Sequence, residues 1–96
     1  MKHKIVFNDC YGGFDLSEAA ENWLRERGET RRIHLIPRHD PLLVECVEKF
    51  GDKASGPYSK LRIEEITGDR YRIEEYDGWE DVITPSSISW TVIKED

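Results

Sequence analysis

Apolar residues between positions 16 and 24 return every three or four positions, as they do on one face of a helix. Asp15 and Ser17 lie at the start of this stripe, and either suits the N-cap, because a short polar side chain there accepts a hydrogen bond from the first turn. Gly28 follows the stripe at the usual C-terminal stop position. The pattern predicts a first helix with Trp23 on its core-facing side.

A second helical pattern begins at a clearer boundary. Asp40 is a strong N-cap, and Pro41 suits the first helical position, where its missing N–H costs nothing. Gly51 stands where this helix should stop. The apolar side chains of one face lie between these boundaries: Leu42, Leu43, Cys46, Val47 and Phe50. We therefore predict a helix over residues 41–50 that buries this face.

The remaining apolar segments are short and are either continuous or alternating, which is typical of strands. They are residues 5–7, 31–36, 61–64, 71–74, 82–83 and 88–92. A turn at 67–70 predicts an antiparallel hairpin between 61–64 and 71–74, and Asp77-Gly78 predicts another turn. We expect a single domain over residues 1–96, of the α+β class (or a small α/β fold). It should have one mostly antiparallel sheet of four to five strands and two helices, in the order β-α-β-α-β-β-β.

Charge is distributed unevenly along the chain. The formal net charge is −6, and residues 40–96 carry fourteen of the twenty acidic residues against seven of the fourteen Lys and Arg residues. Because affinity for duplex nucleic acid comes from cations that neutralise phosphates, the acidic balance disfavours that class of partner. It favours a basic protein surface instead.

Membrane insertion and secretion are not expected. No apolar run approaches the roughly 18 residues that span a bilayer, and no signal peptide is visible. Cys10 and Cys46 lack the spacing of a redox motif or a disulfide framework, so we expect free thiols in a reducing compartment. The expected location is the cytoplasm.

The segment that joins the first strand to the first helix is the main candidate site. Gly12 and Gly13 allow backbone conformations and close approaches that other residues forbid. A strand, a glycine turn and a helix start together favour an anion-binding site built from backbone N–H groups, with Tyr11 and Phe14 beside it. The alternative is a tight connection with Phe14 in the core.

Ligand contacts are predicted in other loops as well. Arg38 is the candidate that neutralises a phosphate, because a guanidinium binds phosphate through paired hydrogen bonds. Tyr11 or Tyr76 would stack on a base. The other loop candidates carry an aromatic face or a hydroxyl: Ser55, Tyr58 and Trp79. For each residue alone, a role in packing or in a turn is the alternative.

Catalytic and metal-binding patterns are weak. Cys10 would need His34 or His39 as a base to become a nucleophile, and nothing in the spacing requires such a pair. The three histidines show no metal-ligand spacing. We therefore expect no catalytic residue, no metal and no cofactor.

Three segments of the chain, in order, resemble a family of small uncharacterised proteins encoded by bacteriophages, prophages and some bacteria. The segments are CYGGFDLS at 10–17, IPRHDPLLV at 36–44 and IEEYDG at 73–78. Relatives carry a longer insertion before the second segment and end sooner after the third. The resemblance implies a phage context and carries over no catalytic residue.

Two functions follow as hypotheses, and a third, an enzyme that degrades a nucleotide signal, lacks a paired base and nucleophile. The first is a non-enzymatic phage protein that binds a small nucleotide-like ligand, such as a host immune signal sequestered by a homo-oligomer. An oligomer is expected because a domain this small has little room for a deep pocket of its own. The alternative is an acidic interaction module that masks or inhibits a host protein.

Overall fold

The computed structural model describes residues 2–85, and within them the chain has the predicted α+β class. The strands are β1 (Lys2–Asn8), β2 (Leu61–Thr67), β3 (Arg72–Tyr76) and β4 (Trp79–Ile83), and the helices are α1 (Glu18–Glu26) and α2 (Pro41–Phe50). The strand predicted at 88–92 lies outside the described residues.

Both helices begin where short polar side chains satisfy the free N–H groups of their first turns. The Ser17 hydroxyl accepts a hydrogen bond from the backbone N–H of Ala20 at 3.2 Å. The Asp40 carboxylate accepts one from the backbone N–H of Leu42 at 2.9 Å. Gly28 follows α1 with φ +91°, so the predicted stop is confirmed. Among the described residues, neither helix has the length and apolar character needed to cross a bilayer.

The predicted single sheet of four to five strands is wrong, because the described strands form two separate antiparallel pairs. β2 pairs with β1, with Ile63 opposite Val6, and not with residues 71–74. β3 pairs with β4 across a two-residue turn in which Asp77 and Gly78 have φ +54° and +89°. Positive φ at both central residues matches the right-handed twist of the strands, so this turn closes the hairpin.

The strand predicted at 31–36 is also wrong, and the segment contains a short 3-10 turn, Ile33–Leu35. A strand would have turned Ile33 and Leu35 to the same face. In the structure Leu35 is 67% exposed, whereas Ile36 is buried and Ile33 packs against the core. Residues three apart lie on the same side of a 3-10 turn, so this spacing decides the conformation.

The core has two parts. The larger cluster packs the apolar faces of α1 and α2 against one face of the β1–β2 pair, and it includes Trp23 and Cys46. A smaller cluster of Ile5, Ile66 and Val82 joins that pair to the β3–β4 hairpin. The two strand pairs are thus held together by side chains, which places the tip of the hairpin beside the end of β1.

Candidate binding surface beside the glycine turn

Other parts of the backbone cover the glycine turn. A Cβ atom on Gly12 would lie 1.5 Å from the carbonyl oxygen of Tyr58, so the two segments are in direct contact. A Cβ on Gly78 would lie 2.5 Å from the Tyr11 carbonyl oxygen and 2.7 Å from the nitrogen of Gly13. Glycine is therefore required at positions 12 and 78 by close packing of three loop segments.

The side chain of Asn8, the last residue of β1, forms hydrogen bonds with these segments. Its fully buried side-chain amide donates hydrogen bonds to the carbonyls of Cys10 and Gly78, both at 2.8 Å. Its side-chain oxygen accepts one from the backbone N–H of Lys60, also at 2.8 Å. One buried amide thus satisfies backbone groups from three parts of the chain, which fixes the hairpin tip against the glycine turn.

Arg38 and Phe14, both predicted ligand contacts, lie inside this junction. The guanidinium of Arg38 lies 3.5 Å from the centre of the Phe14 ring and donates two hydrogen bonds to the carboxylate of Glu80. Glu80 is only 2% exposed and also accepts the backbone N–H of Asn8 at 2.9 Å. The charge of Arg38 is therefore balanced within the fold, and its position gives no support to a role in neutralising a phosphate.

The loop around Gly56 carries two predicted contacts, Ser55 and Tyr58, whose surroundings differ. The hydroxyl of Ser55 accepts the backbone N–H of Leu61 at 2.9 Å, and Ser55 forms an isolated β-bridge with Leu16, so it positions the start of β2. The ring of Tyr58 is 75% exposed, while its carbonyl oxygen packs against Gly12. Neither residue lines the depression that Tyr11, Tyr76 and Trp79 share.

Three of the predicted aromatic residues do come together. Tyr11, Tyr76 and Trp79 line an open depression of about 230 Å³ with Asp81, and we refer to these four residues as the aromatic depression. The ring centroids of Tyr11 and Trp79 lie 4.7 Å apart and the ring planes meet at 81°, so the two rings are in edge-to-face contact. The indole N–H of Trp79 donates to the Asp9 carboxylate at 3.1 Å, which orients the ring.

Carboxylates dominate the charge around these rings. The register of the hairpin puts Tyr76 opposite Trp79 and, two residues along the same face, Glu74 opposite Asp81. Glu74 pairs with Arg72 at 2.8 Å, whereas Asp81 has no ion-pair partner among residues 2–85. The aromatic depression therefore presents negative charge to solvent.

Sequence reasoning named the three rings but missed Asp81 and Glu74. The available signal was the Asp77-Gly78 dipeptide, which typically closes a two-residue hairpin. Its register would have placed residue 74 opposite residue 81.

Within the described residues, Cys10 does not form the thiol–imidazole pair that was considered as a catalytic site. The thiol of Cys10 donates to the carbonyl of Tyr58 at 3.3 Å. Nδ1 of His39 lies instead 2.7 Å from the hydroxyl of Tyr71. Burial raises the pKa of Tyr71, so this hydroxyl stays protonated. Within residues 2–85, no group of three or more His, Cys, Asp or Glu side chains is arranged to hold a metal ion.

Comparison of the chain with protein-family models, with curated proteins and with solved structures finds no match. The resemblance to phage proteins therefore stays a prediction from three sequence segments.

Proposed function

We propose that this protein is a non-enzymatic interaction module that binds and covers a basic surface of a partner protein. The observation that carries the proposal is the aromatic depression, in which Tyr11 and Tyr76 are 61% and 77% exposed. Tyr and Trp side chains supply large contact areas at little cost in conformational entropy, so they are enriched at the energetic centres of protein interfaces.

The surrounding charge selects the kind of partner. Asp81 lines the depression, and Glu74 lies opposite it on the neighbouring strand. Carboxylates at the rim of an interface attract basic residues and repel anionic ligands. The acidic excess of residues 40–96 extends this preference to long-range attraction during encounter.

The same features make a nucleotide the second candidate. Exposed aromatic rings can stack on a base. However, a phosphate placed beside them would meet Asp81, and the predicted neutralising residue, Arg38, is bonded to Glu80. The backbone of Gly12 is covered by Tyr58, which removes one face of the predicted anion-binding turn.

The test measures fluorescence anisotropy of a labelled peptide rich in lysine and arginine at low and at moderate salt. The wild-type protein should bind this peptide, and moderate salt should weaken the complex because opposite charges are screened. Tyr76→Ala should raise the Kd about tenfold by removing an interface aromatic side chain. Tyr58→Ala removes an equally exposed ring that does not line the depression, and it should leave the Kd unchanged.

Competition separates the two candidates. Linear and cyclic nucleotides at the same concentration should neither displace the peptide nor raise the Tm of the protein. A nucleotide-dependent rise in Tm without peptide binding would replace the interaction module by the nucleotide-binding function. Equal effects of Tyr76→Ala and Tyr58→Ala would remove the aromatic depression from the proposal.

A further inference from the structure

We propose that the aromatic depression takes a single alkylammonium group, the side-chain cation of a lysine or methylated lysine on the partner. This inference rests on the proposed function and specifies what the depression contacts. It starts from the arrangement of the rings: those of Tyr11 and Trp79 stand nearly perpendicular, at 81°, and form a corner that Tyr76 flanks. Aromatic faces attract cations, because the ring quadrupole is negative above the ring plane.

Asp81 adds a formal charge to this corner. It lines the same depression and has no ion-pair partner among the described residues, whereas Glu74 is already paired with Arg72. Asp81 and Glu74 lie directly opposite each other, and like charges in that position destabilise a strand pair. Arg72 already offsets the charge of Glu74, so Asp81 is the carboxylate left to attract a positively charged occupant of the corner.

The Trp79 ring and the backbone that carries Tyr11 are held in place before any ligand arrives. The indole N–H of Trp79 is bonded to Asp9, and Gly78 packs directly on the backbone of Tyr11. Asn8 bonds the carbonyl of Gly78 from the buried side. A site whose walls are already ordered loses little conformational entropy on binding.

The shape of the corner favours an ammonium group over a guanidinium. A guanidinium is planar and stacks flat on one ring, whereas a compact cation contacts two perpendicular rings at once. Methyl groups on the nitrogen spread its charge over a larger apolar surface and weaken its hydration. We therefore expect a quaternary ammonium to bind more tightly than a primary one.

Choline and its neutral carbon isostere, 3,3-dimethylbutan-1-ol, provide the test. They match in shape and differ in charge, so only choline should shift the indole N–H resonance of Trp79 at millimolar concentration. The resonance is assigned from its loss in Trp79→Phe. Tyr76→Ala should weaken choline binding about tenfold, and Asp81→Asn should weaken it severalfold. Tyr58→Ala should leave it unchanged.

The outcomes separate this inference from the proposed function. Equal shifts with choline and the isostere would mean an apolar site and would overturn the proposed cation-binding site. If the basic peptide binds but choline leaves the resonance unmoved, the cation site is wrong and the interaction module stands. If choline binds saturably but the peptide does not, the cation site stands and the protein partner falls.

Discussion

Arg38 and Glu80 form a two-point ion pair in the interior, with Nη2 of the arginine 2.9 Å from Oε2 of the glutamate. The pair joins the segment before α2 to the inward face of β4. Because the Glu80 carboxylate is almost wholly shielded from solvent, removal of its partner would leave a charge without compensation. Arg38, chosen from the sequence as a ligand contact, thus anchors the hairpin.

Replacing this arginine should destabilise the protein. We expect Arg38→Met to lower the free energy of unfolding by about 3 kcal/mol, because Glu80 becomes a buried unpaired charge. The double variant Arg38→Met with Glu80→Gln should recover much of the loss, because neither charge remains and the amide oxygen can still accept the backbone N–H of Asn8. Urea denaturation measures both. A single variant within about 0.5 kcal/mol of wild type would contradict the structural role of the pair.

The two adjacent glycines should respond differently to the same substitution. In Gly12→Ala the new methyl group would overlap the carbonyl of Tyr58, so the loop must move, at a cost of about 3 kcal/mol. In Gly13→Ala the methyl group meets open space but the residue keeps φ +94°, which costs about 1 kcal/mol. Thermal and urea unfolding compare the two. If Gly13→Ala costs as much as Gly12→Ala, close approach does not explain the conformation of the turn.

Removing the buried amide of Asn8 should weaken the whole junction. Asn8→Leu keeps the volume and leaves the carbonyls of Cys10 and Gly78 and the N–H of Lys60 without their partner. We expect a loss of about 3 kcal/mol in the free energy of unfolding and faster amide exchange at Lys60. Glu45→Leu, on the exposed side of α2, is the control and should change stability by less than about 0.5 kcal/mol. Equal losses in the two variants would count against the amide network.

One carboxylate should titrate far below its usual range. Hydrogen bonds from the Arg31 side chain, and then from its backbone N–H, lower the pKa of Glu29 from 4.5 to about 2. A folded-state pKa below the unfolded one adds stability above pH 4.5 that is lost as the pH falls toward 2. Carboxyl NMR titration should show this pKa returning toward 4.5 in Arg31→Met. The exposed neighbour serves as control: Arg32→Met should leave it low, and an unchanged pKa in Arg31→Met would refute the assigned cause.

The parts of the fold that the sequence predicted correctly depend on contacts between near neighbours. The Asp40 cap bonds an amide two residues away, and Ser17 bonds one three residues away. The predicted partner of β2 was wrong because its actual partner, β1, lies at the N-terminal end of the described chain, far away in sequence. The local pattern of residues 31–36 predicts a strand. The prediction is wrong because the exposure of Leu35 depends on packing that the local pattern does not contain.

The candidate site, like the fold, could be predicted from the sequence only in part. Three of the predicted contacts, Tyr11, Tyr76 and Trp79, lie together, because Tyr76 and Trp79 flank the hairpin turn and Gly78 of that turn packs on the backbone of Tyr11. The role of Arg38 was not visible, because Glu80 lies 42 residues further along the chain. A glutamate in an alternating strand gives no local sign that it faces inward.

The adjoining walls of the aromatic depression, Tyr11 and Trp79, meet because distant parts of the sequence dock through Asn8 and through the Arg38–Glu80 pair. In the unfolded chain these walls are separated and offer nothing to bind. Any molecule that occupies the depression must therefore shift the folding equilibrium toward the native state by mass action. A rise in the Tm of the protein thus reports directly that the depression is occupied, and the measurement needs no label on either component.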